Sequence, residues 1–356
     1  MKRDRSKKTI LLMAGGTGGH VVPALAVAAE LVARGYQVEW LGSERGIEST
    51  LVPKQGITLH KFPVVGIRGK NPLLLMKALF ALMISIISAF KLLGRIRPLA
   101  VVGMGGFASG PGAVAAKLRG VPIIIHEQNA VAGTTNRVLA RLASKVLSAF
   151  ENALPATVIG NPVPKSVAEI KAVPSSRVGS DTRMLVMGGS LGAQALNEMM
   201  PKALGKLPED RRPTVVHQCG RGRVAETQTA YNDQGVNAEV VEFIDTVAEH
   251  YRHSDFIVCR SGALTVSEIA CAGLPAILVP FPFAVDDHQT ANANVLATVG
   301  AAKILQQSDW SEAKVSGLLD ELTNNPTLRA AYSSAATSVA IRDAAVRAVD
   351  IIENVK

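Results

Sequence analysis

The chain has 356 residues, 48% of them hydrophobic and 19% charged, which excludes a disordered polymer and calls for two domains of about 150 to 180 residues. Its net charge of +9 is split into +13 over residues 1–160 (20 Lys and Arg against 7 Asp and Glu) and −4 over the remainder, with 4% aromatic residues; the first half is built to meet an anionic membrane surface or a pyrophosphate-bearing lipid, and no nucleic acid is expected as a partner. Three cysteines, Cys219, Cys259 and Cys271, lack C-x-x-C or finger spacing, which argues against a disulfide framework or structural zinc and fits a reducing compartment.

In chain order, the basic start Met1 to Lys8 runs straight into a strand, Thr9 to Ala14, with no apolar leader between them. Further strands are expected at Gln37 to Leu41, Ala100 to Gly103, Pro122 to His126 and Lys145 to Ser148, alternating with helical stretches as in a parallel α/β sheet. Between the second and third strands lies the most apolar stretch, Pro72 to Leu93, in which Lys77 and Lys91 leave 13 uncharged residues between them. A bilayer span needs about 20, so a surface helix is expected instead. On it Lys77, Ser85, Ser88, Lys91 and Arg95 form one narrow polar stripe, while Leu75, Leu79, Leu82, Ile86 and their neighbours cover the rest. Part of that arc is expected to pack inward and part to face lipid, with Arg68, Lys70, Lys77, Arg95 and Arg97 available to anionic headgroups. A helix buried on nearly all sides is the alternative.

Gly160-Asn161-Pro162-Val163-Pro164 reads as a linker, because two prolines force extended backbone. The second half repeats the pattern, with strands at Met184 to Met187, Thr214 to Gln218, Glu239 to Phe243, Asp255 to Cys259, Ala276 to Pro280 and Ala302 to Leu305, and a last helix from Ala330 to Lys356. The expected class is α/β: two doubly wound parallel sheets in domains 1–160 and 161–334, facing a cleft that takes two substrates. The C-terminal helix, from about residue 335, is expected to pack back onto the first domain.

Three glycine loops follow strands and open helices: Gly15-Gly16-Thr17-Gly18-Gly19-His20, Gly103 to Gly110, and Gly188-Gly189-Ser190-Leu191-Gly192. Glycine lets backbone amides approach an anion, and the helix that follows adds its positive end, so each loop can cradle a diphosphate. Glycine used only to make the bend is the alternative at any one of them. The first loop lacks the third glycine of G-x-G-x-x-G, and no Walker A sequence is present.

These loops, with His126-Glu127-Gln128-Asn129, Gly160-Asn161-Pro162-Val163 and the run Cys259 to Glu268, occur in an order in which the chain resembles the MurG family. Its members are undecaprenyl-pyrophosphoryl-MurNAc-pentapeptide N-acetylglucosaminyltransferases of the GT-B fold. The resemblance spans nearly the whole chain and implies GlcNAc transfer from UDP-GlcNAc to the lipid-linked MurNAc-pentapeptide in peptidoglycan synthesis. It also implies a peripheral position on the cytoplasmic face of the bacterial inner membrane, among cell-wall and division machinery. By that resemblance the second domain holds UDP-GlcNAc: Ile244 meets uracil through its backbone, Ala263, Leu264 and Thr265 place a helix start at the diphosphate, Val266 and Ser267 bind the same ligand, and Glu268 meets the ribose. Ser190 contacts a phosphate, Asn129, Gln289 and Asn292 address the sugar, and Thr17, Gly18 and Gly19 border the same ligand. Gly15, Gly16, Gly105 and Gly106 receive the acceptor diphosphate. Where the family commonly has an arginine after Gly160-Asn161-Pro162-Val163, this sequence has Pro164 followed by Lys165; lysine replaces the charge but not a flat guanidinium contact.

Inverting transfer to a hydroxyl needs a base, and His20, at the end of the first glycine loop, is the candidate, alongside Glu268 as a second catalytic candidate. Each assignment has a plainer competitor: His20 holding its loop, Glu268 favouring a helix start, Asn129 capping a helix, Gln289 and Asn292 as exposed helix polars. No metal or other cofactor is expected to be required, since backbone amides can carry the leaving-group charge; there is no D-x-D motif, and Asp286-Asp287 reads as a solvated loop. A UDP-GlcNAc 2-epimerase and a non-catalytic nucleotide-sugar-binding scaffold are the rivals.

Overall fold

The computed structural model describes residues 8–44, 46–62, 72–106, 108–151, 153–172, 175–189 and 192–355, with backbone alone for 72–79. The chain divides into two compact units, Met1–Pro164 with Asp343–Lys356, and Lys165–Arg342.

The first unit is a seven-stranded parallel sheet. Its strands are β1 (Thr9–Met13), β2 (Gln37–Ser43), β3 (Thr58–Phe62), β4 (Ala100–Gly103), β5 (Ile123–Glu127), β6 (Lys145–Ser148) and β7 (Thr157–Val158), in the order β3-β2-β1-β4-β5-β6-β7. The central strand, Thr-Ile-Leu-Leu-Met, is buried throughout, as a parallel strand covered on both faces must be. Alternation sends Ile10 and Leu12 into one layer with Val27 and Leu31 of α1 (Gly18–Ala33) and Val349 and Ile352 of the C-terminal helix. Leu11 and Met13 join Leu92 and Leu93 of α3 (Pro72–Ile96) and Ala113 and Ala116 of α4 (Ser109–Leu118) in the other. The short helices α2 (Glu48–Lys54) and α5 (Thr134–Leu139) complete the unit. The chain steps outward from β1 through β2 to β3, then returns to place β4 on the other side of β1. The glycine loops after β1 and β4 therefore lie side by side at the point where strand order reverses, where open α/β sheets bind ligands.

The second unit opens with α6 (Lys165–Ala168) and is built on β8 (Arg183–Met187), β9 (Thr214–Gln218), β10 (Ala238–Val241), β11 (Phe256–Cys259), β12 (Ala276–Leu278) and β13 (Ala302–Ile304), ordered β10-β9-β8-β11-β12-β13. Here the reversal falls between β8 and β11. Helices α7 (Gln194–Gly205), α8 (Val224–Asp233), α9 (Val247–His253), α10 (Ala263–Ala272), α11 (His288–Ala297), α12 (Glu312–Asn324) and α13 (Pro326–Ser338) cover it, with Val186, Phe256, Leu196, Met200 and Leu319 among the buried core.

Some expectations shift. The last segment is two helices, not one: α13 ends at Ser338, and α14 (Ala344–Glu353) starts after a break. The division accordingly falls at 342/343 rather than near 335, because α13 packs on α10 within the second unit while α14 packs on α1. The forward crossing falls after Pro164, not after residue 160. Arg34 binds both Asp350 (2.7 Å) and Glu353 (2.8 Å) across the α1–α14 contact.

The apolar stretch is a helix, but its polar stripe is not uniform. Ser85 is buried with Ala89, Leu92, Leu93 and Ile96, its hydroxyl donating to the Ala81 carbonyl at 2.8 Å, so a serine expected outside belongs to the packed face. Phe80, Leu82, Met83, Ile84, Ile87 and Phe90 are exposed, and Ile86 is half-buried. Arg119 stacks over the Phe90 ring at 3.8 Å. The helix is thus not buried on nearly all sides, and no helix among the described residues is long and apolar enough to cross a membrane. Arg68 and Lys70, and the side chains of Leu75, Lys77 and Leu79, lie outside what is described.

Candidate active site

In the first unit the β1 and β4 loops interlock. Gly106 has φ +80°, and a Cβ there would overlap the Gly15 carbonyl; neither the conformation nor the spacing admits another residue. A Cβ on Gly105 would lie 2.6 Å from Nδ1 of His20, so the imidazole packs directly on that backbone. His20 sits in the first turn of α1, half-buried, whose N-cap Thr17 makes no side-chain cap hydrogen bond. Gly18 and Gly19 open the same turn.

Three acidic or amide side chains hold these loops and the one after β5. Glu48, fully buried at the start of α2, accepts from the amides of Gly16 (3.0 Å) and Ser43 (2.8 Å) and from the Ser43 hydroxyl (2.6 Å). Glu127, at the end of β5, accepts from the Asn129 amide (2.9 Å), the Gly133 amide (3.1 Å) and Asn136 (2.8 Å). Gln128 places its Oε1 at 3.1 Å from His20 Nδ1 and donates from Nε2 to the Met104 carbonyl at 2.8 Å. Asn129 does not cap α5, whose N-cap is Gly133. Glu48 had no signal in the sequence: an isolated acid after a strand looks like any solvated loop residue.

In the second unit β11 leads through Arg260-Ser261-Gly262 into α10. The N-cap is Gly262, with no side-chain cap and no acidic residue in the first turn, so the first-turn amides at Ala263, Leu264 and Thr265 are left for an anion. The alternative in which Glu268 serves the helix start is thereby removed. Val266 has its side chain in the core and its amide donates to the Gly262 carbonyl at 2.9 Å, so the free first-turn amides end at Thr265. Ser267 is half-buried. Asn292 is fully buried, not an exposed helix polar, and donates to the Ser261 carbonyl at 3.2 Å, bracing the turn before α10. Gln289 is half-buried and accepts from the Phe281 amide at 2.9 Å. Ile244 is buried, two residues beyond the expected position after its strand because β10 ends at Val241. Arg260 donates to the carbonyls of Val279 and Pro280. Ser190 lies outside the described residues; its loop neighbours Gly188 and Gly189 follow β8 at the reversal point. Lys165 is exposed and pairs at 3.7 Å with Glu169, just past the end of its helix.

Residues 10–148 match the glycosyltransferase family 28 N-terminal domain, and residues 183–349 its C-terminal domain. A UDP-N-acetylglucosamine–N-acetylmuramyl-(pentapeptide) pyrophosphoryl-undecaprenol N-acetylglucosamine transferase of Azotobacter vinelandii is 49% identical over 96% of this chain and 97% of its own. The protein of the same description from Pseudomonas savastanoi pv. phaseolicola is 48% identical over the same shares. The crystal structure of Acinetobacter baumannii MurG superposes with a TM-score of 0.83 at 40% identity, covering 97% of this chain and 99% of that one. The chain belongs to the MurG family of glycosyltransferase family 28. A UDP-N-acetylglucosamine 2-epimerase shares the fold at 14% identity and a TM-score of 0.66, over 96% of this chain and 95% of its own; that similarity is of fold alone.

In this MurG-family chain Glu268 has an unusual setting. It is buried, and Tyr251 donates to its Oε2 at 3.0 Å. Burial pushes its carboxyl from 4.5 up to about 7, against the opposing effect of the Tyr251 hydrogen bond. The folded state therefore holds this proton more tightly than the unfolded chain does. The stability it contributes is fully present below pH 4.5 and is lost as pH rises through about 7, for a total of about 3 kcal/mol. Glu268→Gln should match the wild type in urea unfolding under acid conditions and exceed it increasingly toward mildly alkaline pH. Parallel curves for the two proteins would show that the carboxyl is not held this way.

Proposed function

We propose that this chain moves GlcNAc from UDP-GlcNAc, with inversion, to the MurNAc 4-hydroxyl of undecaprenyl-pyrophosphoryl-MurNAc-pentapeptide, converting lipid I to lipid II. The observation that carries the reading is 48–49% identity over 96% of the chain to relatives named for this transfer. The start of α10 takes the UDP diphosphate, Ile244 addresses uracil through its backbone, Glu268 the ribose, and Gln289 and Asn129 the sugar. The acceptor diphosphate lies against Gly15, Gly16, Gly105 and Gly106. His20 removes the proton from the incoming hydroxyl as its oxygen bonds to the anomeric carbon. The bond from that carbon to the phosphate oxygen breaks on the opposite face, its electrons leave with UDP, and the amides of α10 stabilise the charge. The reading includes no metal; activity abolished by EDTA and restored by Mg²⁺ would reverse that part.

The test is UDP release from UDP-GlcNAc with and without a lipid-linked MurNAc-pentapeptide. Release only with the acceptor, in step with a GlcNAc-bearing lipid product, is expected. Epimerisation without acceptor would identify the epimerase rival, and binding without turnover the scaffold.

The acceptor is lipid-anchored, and the exposed apolar face of α3, with Lys91, Arg95 and Arg97 also exposed beside it, supports a peripheral seat on the cytoplasmic face of the inner membrane. Apolar burial in the interface and attraction to anionic lipid act together there. The double variant Met83→Glu, Ile87→Glu should lower sedimentation with anionic vesicles at least about tenfold, since each buried side chain contributes about 1.5–3 kcal/mol. Unchanged sedimentation would remove α3 as the membrane face.

A further inference from the structure

The hydrogen bonds behind His20 have directions that can be worked out from their buried end. His126 is 1% exposed and its Nε2 lies 2.9 Å from the Gly160 carbonyl oxygen. A carbonyl only accepts, so Nε2 carries a proton. Burial lowers the His126 ring to about 4, outweighing the Gly160 hydrogen bond and the Glu127 charge, so the ring is neutral and its Nδ1 is a bare acceptor. Gln128, also 1% exposed, places its Nε2 at 3.3 Å from that Nδ1, 2.8 Å from the Met104 carbonyl and 3.2 Å from the His126 carbonyl. All three neighbours are acceptors. Turning the amide over would set its oxygen against them, so the donor end of Gln128 must point this way. Its Oε1 is then committed to His20 Nδ1 at 3.1 Å, and an amide oxygen can only accept.

We propose that Gln128 is a positioning residue that fixes His20 as the Nδ1–H tautomer, leaving the lone pair on Nε2. A chain of one-way hydrogen bonds, from the Gly160 carbonyl through His126 and Gln128, thereby dictates which nitrogen of His20 can take a proton. The inference rests on the reading of His20 as the base only for its consequence in turnover; the tautomer stands on the geometry. An amide does this without a charge, whereas a carboxylate in its place would sit against the carbonyls of Met104 and His126.

The full chain labelled with ¹⁵N-histidine decides the matter without any substitution. Long-range ¹H–¹⁵N correlations at mildly alkaline pH, with the His20 signals assigned by their loss in His20→Ala, should show Nδ1 protonated and Nε2 bare. A ring protonated at Nε2 overturns the proposal. In Gln128→Met, similar in length and unable to accept in the same way, the ring should become a tautomer mixture, and kcat should fall roughly tenfold or more with both KM values within about twofold. A Gln128→Met ring still wholly Nδ1–H would also overturn it. Full turnover in His20→Ala with a wild-type Nδ1–H ring would instead remove the base reading and leave the tautomer assignment standing.

Discussion

Replacing His20 by alanine should lower turnover by about 100- to 10,000-fold, the range a positioned general base supplies. The ring is held from two sides, by the backbone of Gly105 and by Gln128, so its Nε2 has a fixed direction, and among the described residues no hydrogen bond to that nitrogen is found. If the ring only braces the loop, His20→Ala should instead lower the melting temperature and raise the KM for the acceptor while sparing kcat. The split between kcat and KM, read with thermal melting, separates the two. Loss of less than about tenfold, roughly 1.4 kcal/mol, would remove His20 as the base.

Thr265→Asp should act in opposite directions on stability and on nucleotide binding. Thr265 is half-buried in the first turn of α10, which has neither a side-chain cap nor an acidic residue. A carboxylate there suits the positive helix end and should stabilise the second unit by about 0.3–1 kcal/mol. The same charge faces the place assigned to the UDP diphosphate, and like charges in such contact cost several kcal/mol. UDP binding measured by calorimetry should therefore weaken by about 100-fold or more while the melting temperature rises or holds. Unchanged UDP affinity would mean that the diphosphate lies elsewhere.

What could be read from the sequence follows from what burial on two faces does to composition. Continuous apolar runs such as Ile10 to Met13 and Phe256 to Cys259 declare central parallel strands, and the glycines after them mark the turns at each reversal point. Strand β3 leaves no apolar run in the sequence because it is an edge strand whose residues are half-buried or exposed; β7 has two residues, both exposed. The break between α13 and α14 lies in Val339 to Asp343, which contains neither proline nor glycine, so it is set by what each helix packs against. The site residues divide in the same way. Amides at helix starts are visible as glycine-bearing motifs, but the side chains that hold them, Glu48, Gln128 and Asn292, come from other elements and matter through contacts that sequence spacing does not encode. Proximity to a motif does not tell which way a side chain points: Asn292 is buried against the Ser261 carbonyl instead of exposed on its helix.

The return of α14 to the first unit makes the second unit an insertion within the first, with the main chain passing between them at 164/165 and again at 342/343. During synthesis from the N-terminus, residues 165–342 can complete their own sheet while the outer layer over α1 still lacks Ala348, Val349 and Ile352. The first unit must therefore wait, with an apolar strip of α1 uncovered, until the last segment leaves the ribosome. A chain stalled or clipped just before Ala344 should present a finished second unit joined to a sticky, protease-sensitive first one.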